Sequence, residues 1–406
     1  MIPLHAAAVV ARVPGGEIYR LPPTGADWGI VPHYGELVGN TPQAGQIDAS
    51  SNQVIENKVI SNPNGIGIYI GPNVTNVTIR NCIIGPCGSN VSGPGSGRGI
   101  FMVGNNTTGR IIIQNNVFTD TMTAVSWYGT DNWTASRCIW VLGNRFLNQR
   151  ISYLTSPVGD TTPPYVYQWI EGVSISLSRG KGYTASGGVS RVEGNIIDSW
   201  EGVGYGNVSS RPTFNNPDML AENGLHRAYA LPLARGGTDQ ISMFEIVGAP
   251  TSYIRVAFNR IRGGGWSNGS GIMLCDAQNP NAPSGYIRAF NNRLYMCPNS
   301  AIQIAAGIDN IVERNYVDSR GKDRASLTHM AISARNYRNY PQNQGHLIKD
   351  NRTFSRLWDH SNTTSPFHGG VDVEAGINGV TLQNNTQSDA TLGEWIISAP
   401  WDTNYS

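Results

Sequence analysis

A six-residue phrase keeps returning along these 406 residues: IQNNVF at 113–118, VEGNII at 192–197, VERNYV at 312–317 and LQNNTQ at 382–387. Aligned on its fourth letter, the phrase sets a register of Lys58, Cys82, Asn116, Asn144, Asn195, Asn259, Asn292, Asn315, Asn351 and Asn385. Apolar residues stand three positions earlier in nearly every copy, among them Ile79, Ile113, Val141, Val192, Val256 and Ile348. The steps run from 23 to 36 residues, except Asn144 to Asn195 and Asn195 to Asn259, which take 51 and 64. A recurrence of this period constrains the fold more than any other feature. One unit is too small to bury its own apolar side, so successive units must stack.

A second motif precedes each copy and alternates with period two, as in GIGIYIG (65–71), GRGIFMVG (97–104), GVSISLS (172–178) and SAIQIAA (300–306). That alternation predicts a half-buried strand. Each coil therefore reads as a strand, a variable turn, a second strand, an Asn corner and a short third strand. The corner Asn is expected to take left-handed backbone angles and to bond its amide to the Asn one coil away. Composition agrees: 48 Gly, only 14% charged residues and four Lys suit short strands and tight turns better than helices.

The pattern resembles the right-handed parallel β-helix proteins of the pectate-lyase-like superfamily, which include polysaccharide lyases and hydrolases and phage tailspikes. The resemblance covers about residues 45–390 and implies an all-β chain, a single-stranded right-handed parallel β-helix solenoid of about ten coils with an internal Asn ladder. Residues 1–44 and 391–406 fall outside the register and are expected to cap the open ends.

Several classes are set aside. A net charge of +1 gives no overall footprint for nucleic acid or an anionic membrane. No apolar run approaches the roughly 18 residues of a membrane helix. Five cysteines without a CxxC pair imply neither a zinc site nor a full disulfide framework, and read as small buried hydrophobes. No metal site is expected, although lyase chemistry leaves room for Ca²⁺. Sequon-like triplets such as Asn73-Val-Thr and Asn132-Trp-Thr read as turn residues. No clear signal peptide opens the chain, and an extracellular or virion-surface location comes from the resemblance alone.

Insertions in a solenoid go to its flank, where binding is commonly built. The two long steps place insertions at about 147–170 and 199–240, with Trp169 in the first and Trp200, His226, Arg227 and Tyr229 in the second. Along the first strands, Ile68, Ile100, Val125, Ile175, Ile272, Ile302, Ile332 and Val371 are expected to face inward. Outward residues then include Tyr128, Glu245, Arg335, Asp372 and Glu374.

Two groups carry candidate chemistry. The central one joins Glu245 and Asp276, on adjacent coils, to His226, Arg227 and Tyr229. Two carboxylates suit glycoside hydrolysis, whereas a cation with a His, Arg or Tyr base suits elimination from a uronic acid. Tyr128, Trp169, Trp200, Arg335, Asp372 and Glu374 are candidate substrate contacts. The expected function is to bind, and by resemblance to degrade, a polysaccharide along the first-strand face. The alternative is a non-catalytic glycan receptor of tailspike type, commonly a homotrimer.

Overall fold

The computed structural model describes residues 10–12, 18–20, 40–88, 97–105, 108–119, 121–147, 150–151, 173–198, 234–235, 239–262, 270–277, 279–295, 297, 300–318, 330–336, 340–354 and 370–387. No helix occurs among them. Three long parallel sheets carry the architecture, with ten, ten and eleven strands. One coil visits each sheet once: Ile241–Val247 lies in sheet 1, Ile254–Ala257 in sheet 2 and Arg260–Arg262 in sheet 3. The next coil repeats the circuit and pairs strand for strand with the one before. Sheet 1 runs from Ile47–Asp48 to Val371–Val373 and sheet 2 from Val54–Glu56 to Thr381–Gln383. Sheet 3 begins at Thr41–Ala44, which pairs with Lys58–Ser61 and so lies inside the stretch read from sequence as a cap.

Inward side chains stack by type. In sheet 1, Ile68, Ile100, Val125, Ile175, Ile241, Ile272, Ile302, Ile332 and Val371 sit side by side on successive strands. All but Val371 are fully buried in one continuous core. Each such side chain contributes roughly 1.5–3 kcal/mol by leaving water, which is how a rod with no layered interior holds together. On most coils the residue just before this row is small, because the neighbouring strand passes close. A Cβ on Gly99 would stand 2.6 Å from the Ala124 carbonyl oxygen, and one on Gly271 2.7 Å from that of Ala301.

The recurrent Asn forms an unbroken internal ladder at the bend from sheet 2 to sheet 3. In each rung the amide Nδ2 donates to the Oδ1 of the next rung and to a backbone carbonyl of the coil before. Asn195 donates to Asn259 Oδ1 at 2.9 Å and to Val141 O at 2.9 Å. The same pair of bonds links Asn116, Asn144, Asn259, Asn292, Asn315 and Asn351 to their successors, ending at Asn385. Cys82 closes the other end by donating its N–H to Asn116 Oδ1.

The sequence gives one Asn both jobs at the corner, but the structure divides them. The left-handed angle belongs to the preceding residue: Asn81, Asn115, Phe258, Asn291, Arg314, Asp350 and Asn384 all have φ between 49° and 58°, and Gly143 and Gly194 take 59° and 68°. That residue turns the chain, so the Asn behind it keeps ordinary angles and points its amide inside. Phe258 and Arg314 pay steric strain to do this, since only Gly and Asn enter the region readily.

Candidate functional site

The outer face of sheet 1 is where alternation turns side chains away from the core. One position after the inward row stand Tyr69, Phe101, Ser126, Ser176 and Ser242 on five successive coils. Two positions further stand Tyr128, Ser178 and Phe244, again in register. Tyr69, Phe101, Tyr128 and Phe244 are half-buried, so each keeps part of its ring at the surface. The Tyr69 and Phe101 rings lie 6.1 Å apart, and the Arg98 guanidinium sits 3.9 Å from the Phe101 centroid. Arg179 stands between the Tyr128 ring at 5.2 Å and the Phe244 ring at 5.8 Å. Cation–π contacts of this kind hold rings and guanidinium in fixed orientations.

At the end of these strands the regular alternation breaks. Arg179 and Glu245 are neighbours on adjacent coils, and both have positive φ, 57° and 48°. Each is an extra residue that resets which side chains face out. Gly129 occupies the same place one coil earlier, where a Cβ would fall 1.9 Å from the Arg179 carbonyl oxygen. Counted from the inward Ile241, simple alternation takes Glu245 off the outer face expected for it, and it is only 1% exposed. The outward residue of its strand is Phe244.

Glu245 is held from three sides. Its Oε1 accepts the Asn279 backbone N–H at 3.0 Å, and its Oε2 accepts Trp133 Nε1–H at 3.0 Å and lies 3.3 Å from Arg179 Nε. A buried carboxylate needs such partners, because leaving it unpaired costs several kcal/mol. Arg179 then links this buried acid to the surface. Its Nη1 donates to the Tyr128 hydroxyl at 2.6 Å and to Asp131, and the hydroxyl donates to Asp131 as well. The bonds from Tyr128 and then Arg179 hold the Asp131 carboxyl below its usual range. Partial burial, followed by the bond to Asp131, pushes the Tyr128 phenol up. Partial burial works against the charge on Arg179, but Tyr128, Glu245 and Asp131 outweigh it and leave its pKa raised.

Asp276 occupies the position equivalent to Glu245 on the next coil, counted from the paired Ile241 and Ile272. It is half-buried and opens the loop whose Asn279 caps Glu245. Tyr340 closes the floor of this corner by donating its hydroxyl to Ala282 O, and burial raises its phenol to about 12. On the last coils, Arg335 pairs with Asp372, and Glu374 accepts the Asn336 N–H at 2.6 Å. Those three residues thus tie neighbouring coils to each other.

The other members of the expected central group fall outside the described residues. His226, Arg227 and Tyr229, with Trp169 and Trp200, lie outside the described residues. Their insertions leave sheet 3 at Leu147 and Asp198 and rejoin ahead of sheet 1, at the opposite end of its strands from Glu245. The two insertions do meet at their bases, where Arg150–Ile151 pairs antiparallel with Ala234–Arg235.

Arg179, Trp133, Asp131 and Phe244 were missed by sequence reasoning. Phe244 follows once Ile241 is aligned with Ile175, but the turn at Arg179 and Glu245 has no periodic signal to betray it. Among the described residues, no group of three or more His, Cys, Asp or Glu side chains is placed to hold a metal ion. All five cysteines are buried and none forms a disulfide.

Comparison with known proteins agrees with the topology. Residues 36–146 match the family described as right handed beta helix region. The fold is a right-handed parallel β-helix. No curated protein matches the chain. Among solved structures, the Dettilon tailspike protein is 12% identical at a TM-score of 0.42, over 84% of this chain and 61% of that one. The GH87 alpha-1,3-glucanase of Streptomyces thermodiastaticus is 14% identical at 0.30, over 86% and 47%. Alginate lyase from Paenibacillus is 10% identical at 0.32, over 85% and 96%. The chain thus spans less than two thirds of the first two. Likeness at these levels says nothing of what this β-helix binds.

Proposed function

We propose that the protein holds a glycan chain lengthwise on the outer face of sheet 1. The observation that carries this is the row of half-exposed rings, Tyr69, Phe101, Tyr128 and Phe244, distributed over five successive coils. At a strand spacing of ~4.8 Å those coils span about 19 Å, the length of a short run of sugar rings. Pyranose faces stack on aromatic rings, and the half-buried Ser176 in the column of Tyr69 and Phe101 offers a hydroxyl to a polar edge. Arg179 adds a cation at the centre, suited to a sugar carboxylate or hydroxyl. Such a role suits a protein working outside the cell or on a virion.

Cleavage is the second reading, and Asp276 favours it. It is a half-buried carboxylate one coil from Glu245, whose own partner is the cation of Arg179. In that case Glu245, enclosed by Trp133, Arg179 and Asn279, positions Arg179 and does not itself attack the substrate.

Incubation with a panel of neutral and acidic polysaccharides tests both readings. Binding is expected for at least one glycan, and Phe101→Ala with Phe244→Ala is expected to weaken it about tenfold, or ~1.4 kcal/mol. Unchanged affinity in that variant would remove sheet 1 as the binding face. New reducing ends mark hydrolysis and an ultraviolet-absorbing unsaturated product marks elimination; Asp276→Asn should abolish either. Binding without product, together with a trimer by light scattering, is the outcome for a tailspike-type receptor.

A further inference from the structure

Sheet 2 presents a different outer face, and its chemistry is cationic. Trp140, Arg191, Arg255 and Arg288 lie in register on four successive coils. Arg110 sits over the Trp140 ring at 4.0 Å and Arg191 over it at 4.8 Å. On the coil after Arg288, Glu313 is surrounded by Arg288, Arg314 and Lys349, and Glu193 pairs with Arg255 at 2.7 Å. Six cations, Arg110, Arg191, Arg255, Arg288, Arg314 and Lys349, therefore share this face with two strand carboxylates, Glu193 and Glu313, while Asp309 and Asp350 stand at its corners.

Like charges directly opposite on neighbouring strands repel. A face serving stability alone would alternate signs, as Glu56 and Arg80 do at the N-terminal end. Here three arginines are stacked on adjacent coils, and a single carboxylate faces three cations. Six cations against two strand carboxylates leave a surplus of four positive charges over seven coils of a straight rod, beside a half-buried indole. An extended polyanion matches that geometry.

We infer that the outer face of sheet 2 is a second binding surface, for an acidic polysaccharide strand lying along the helix axis. The surface is separate from sheet 1 and does not depend on the function proposed there. Its cations are distributed in a line and not clustered in a pocket, so carboxylate or sulfate groups of one glycan would engage several coils at once. Arg110 and Arg191, held on the Trp140 ring, would take an anion at one end, and Arg288, Arg314 and Lys349 around Glu313 would take one at the other. Arg314 and Lys349 are open enough for this, with side chains 40% and 31% exposed.

The test is made in the Phe101→Ala/Phe244→Ala background, so that sheet 1 contributes little. Affinity is measured for a polygalacturonate oligomer, a sulfated glycosaminoglycan, a neutral galactan and single-stranded DNA, across a salt series. At least one acidic glycan should bind, with affinity falling steeply as salt rises, and the neutral galactan should not. Arg191→Gln with Arg288→Gln should weaken that binding about tenfold or more. Arg314→Gln with Lys349→Gln, at more exposed positions, should do the same if the first pair fails to fold. A preference for the uronate or for the sulfated chain identifies which anion the face reads. Failure of every acidic glycan to bind, or binding unchanged by the substitutions, would overturn the inference. So would DNA binding as tightly and responding to the same variants, because the face would then read charge alone.

Discussion

The same backbone device appears in two parts of this molecule and means different things in each. At the bend from sheet 2 to sheet 3, a left-handed residue recurs coil after coil, always just before the ladder position. At the end of sheet 1, among the described residues, Gly104 takes a left-handed angle freely, whereas Arg179, Glu245 and Cys275 take one against the preference of their residue types, on three neighbouring coils. The repeated turn is architecture, because every coil must bend there and the amide behind it must be satisfied. The unrepeated turn is local. It lies where Arg179 stands between two rings, and beyond it Ile246 returns to the core. A strained conformation kept in a few coils of a regular rod marks a place where uniformity has been given up.

The largest expected effect breaks the regular half of this comparison. Asn195→Ala removes an amide that accepts two bonds from Asn144 and donates to Val141 and Asn259. Several buried groups then lose partners together, a cost on the order of 3–5 kcal/mol. Urea denaturation should show that loss, and glycan binding by the protein that remains folded should be unchanged.

Acid probes the irregular turns from sheet 1 to sheet 2. His346 is fully buried, its Nδ1 accepts the Asn310 N–H at 3.3 Å, and its Nε2 lies 2.7 Å from Asn343 Oδ1. Burial lowers its pKa from 6.5 to about 4, so the folded protein binds this proton less readily than the unfolded chain. Stability from the neutral ring is complete above about pH 6.5. It is lost as pH falls toward about 4, by up to roughly 3 kcal/mol. His346→Gln should flatten the melting temperature measured between pH 7 and 4. An equal acid loss in that variant would assign the effect to other groups.

Glu245→Ala sharpens the contrast further. It leaves Trp133 Nε1 and the Asn279 N–H without their acceptor and Arg179 without its buried partner, for about 2–3 kcal/mol. Unlike the ladder variant, it should also weaken glycan binding, because Arg179 loses its fixed place between Tyr128 and Phe244. Last comes Arg335→Ala, which opens a half-exposed ion pair with Asp372 and should cost no more than about 1 kcal/mol. A larger loss of binding than of stability there would extend the glycan site to the final coils.

The rod was legible in the sequence because its rules repeat. Ten register positions located every sheet 3 strand from Lys58–Asn62 to Thr386–Gln387, and the inward row of sheet 1 follows from simple alternation. The site was legible only in part. Tyr128 stands on the expected face, but Glu245 does not, since the inward row passes through Ile241 and the expected alternation is one residue out of step on that strand. Arg179 and Trp133 reach Glu245 from coils 66 and 112 residues away in the chain, distances that carry no local pattern. His226, Arg227 and Tyr229, expected beside Glu245, belong to an insertion outside the described residues.

Hydrogen–deuterium exchange of the free protein against its complex with the tightest-binding glycan of the panel tests the central claim most directly. Exchange is expected to slow in the sheet 1 strands Thr123–Tyr128, Val173–Lys181 and Ile241–Val247 and in the turn carrying Trp133. Unchanged exchange in all of these segments while the glycan is demonstrably bound would contradict it.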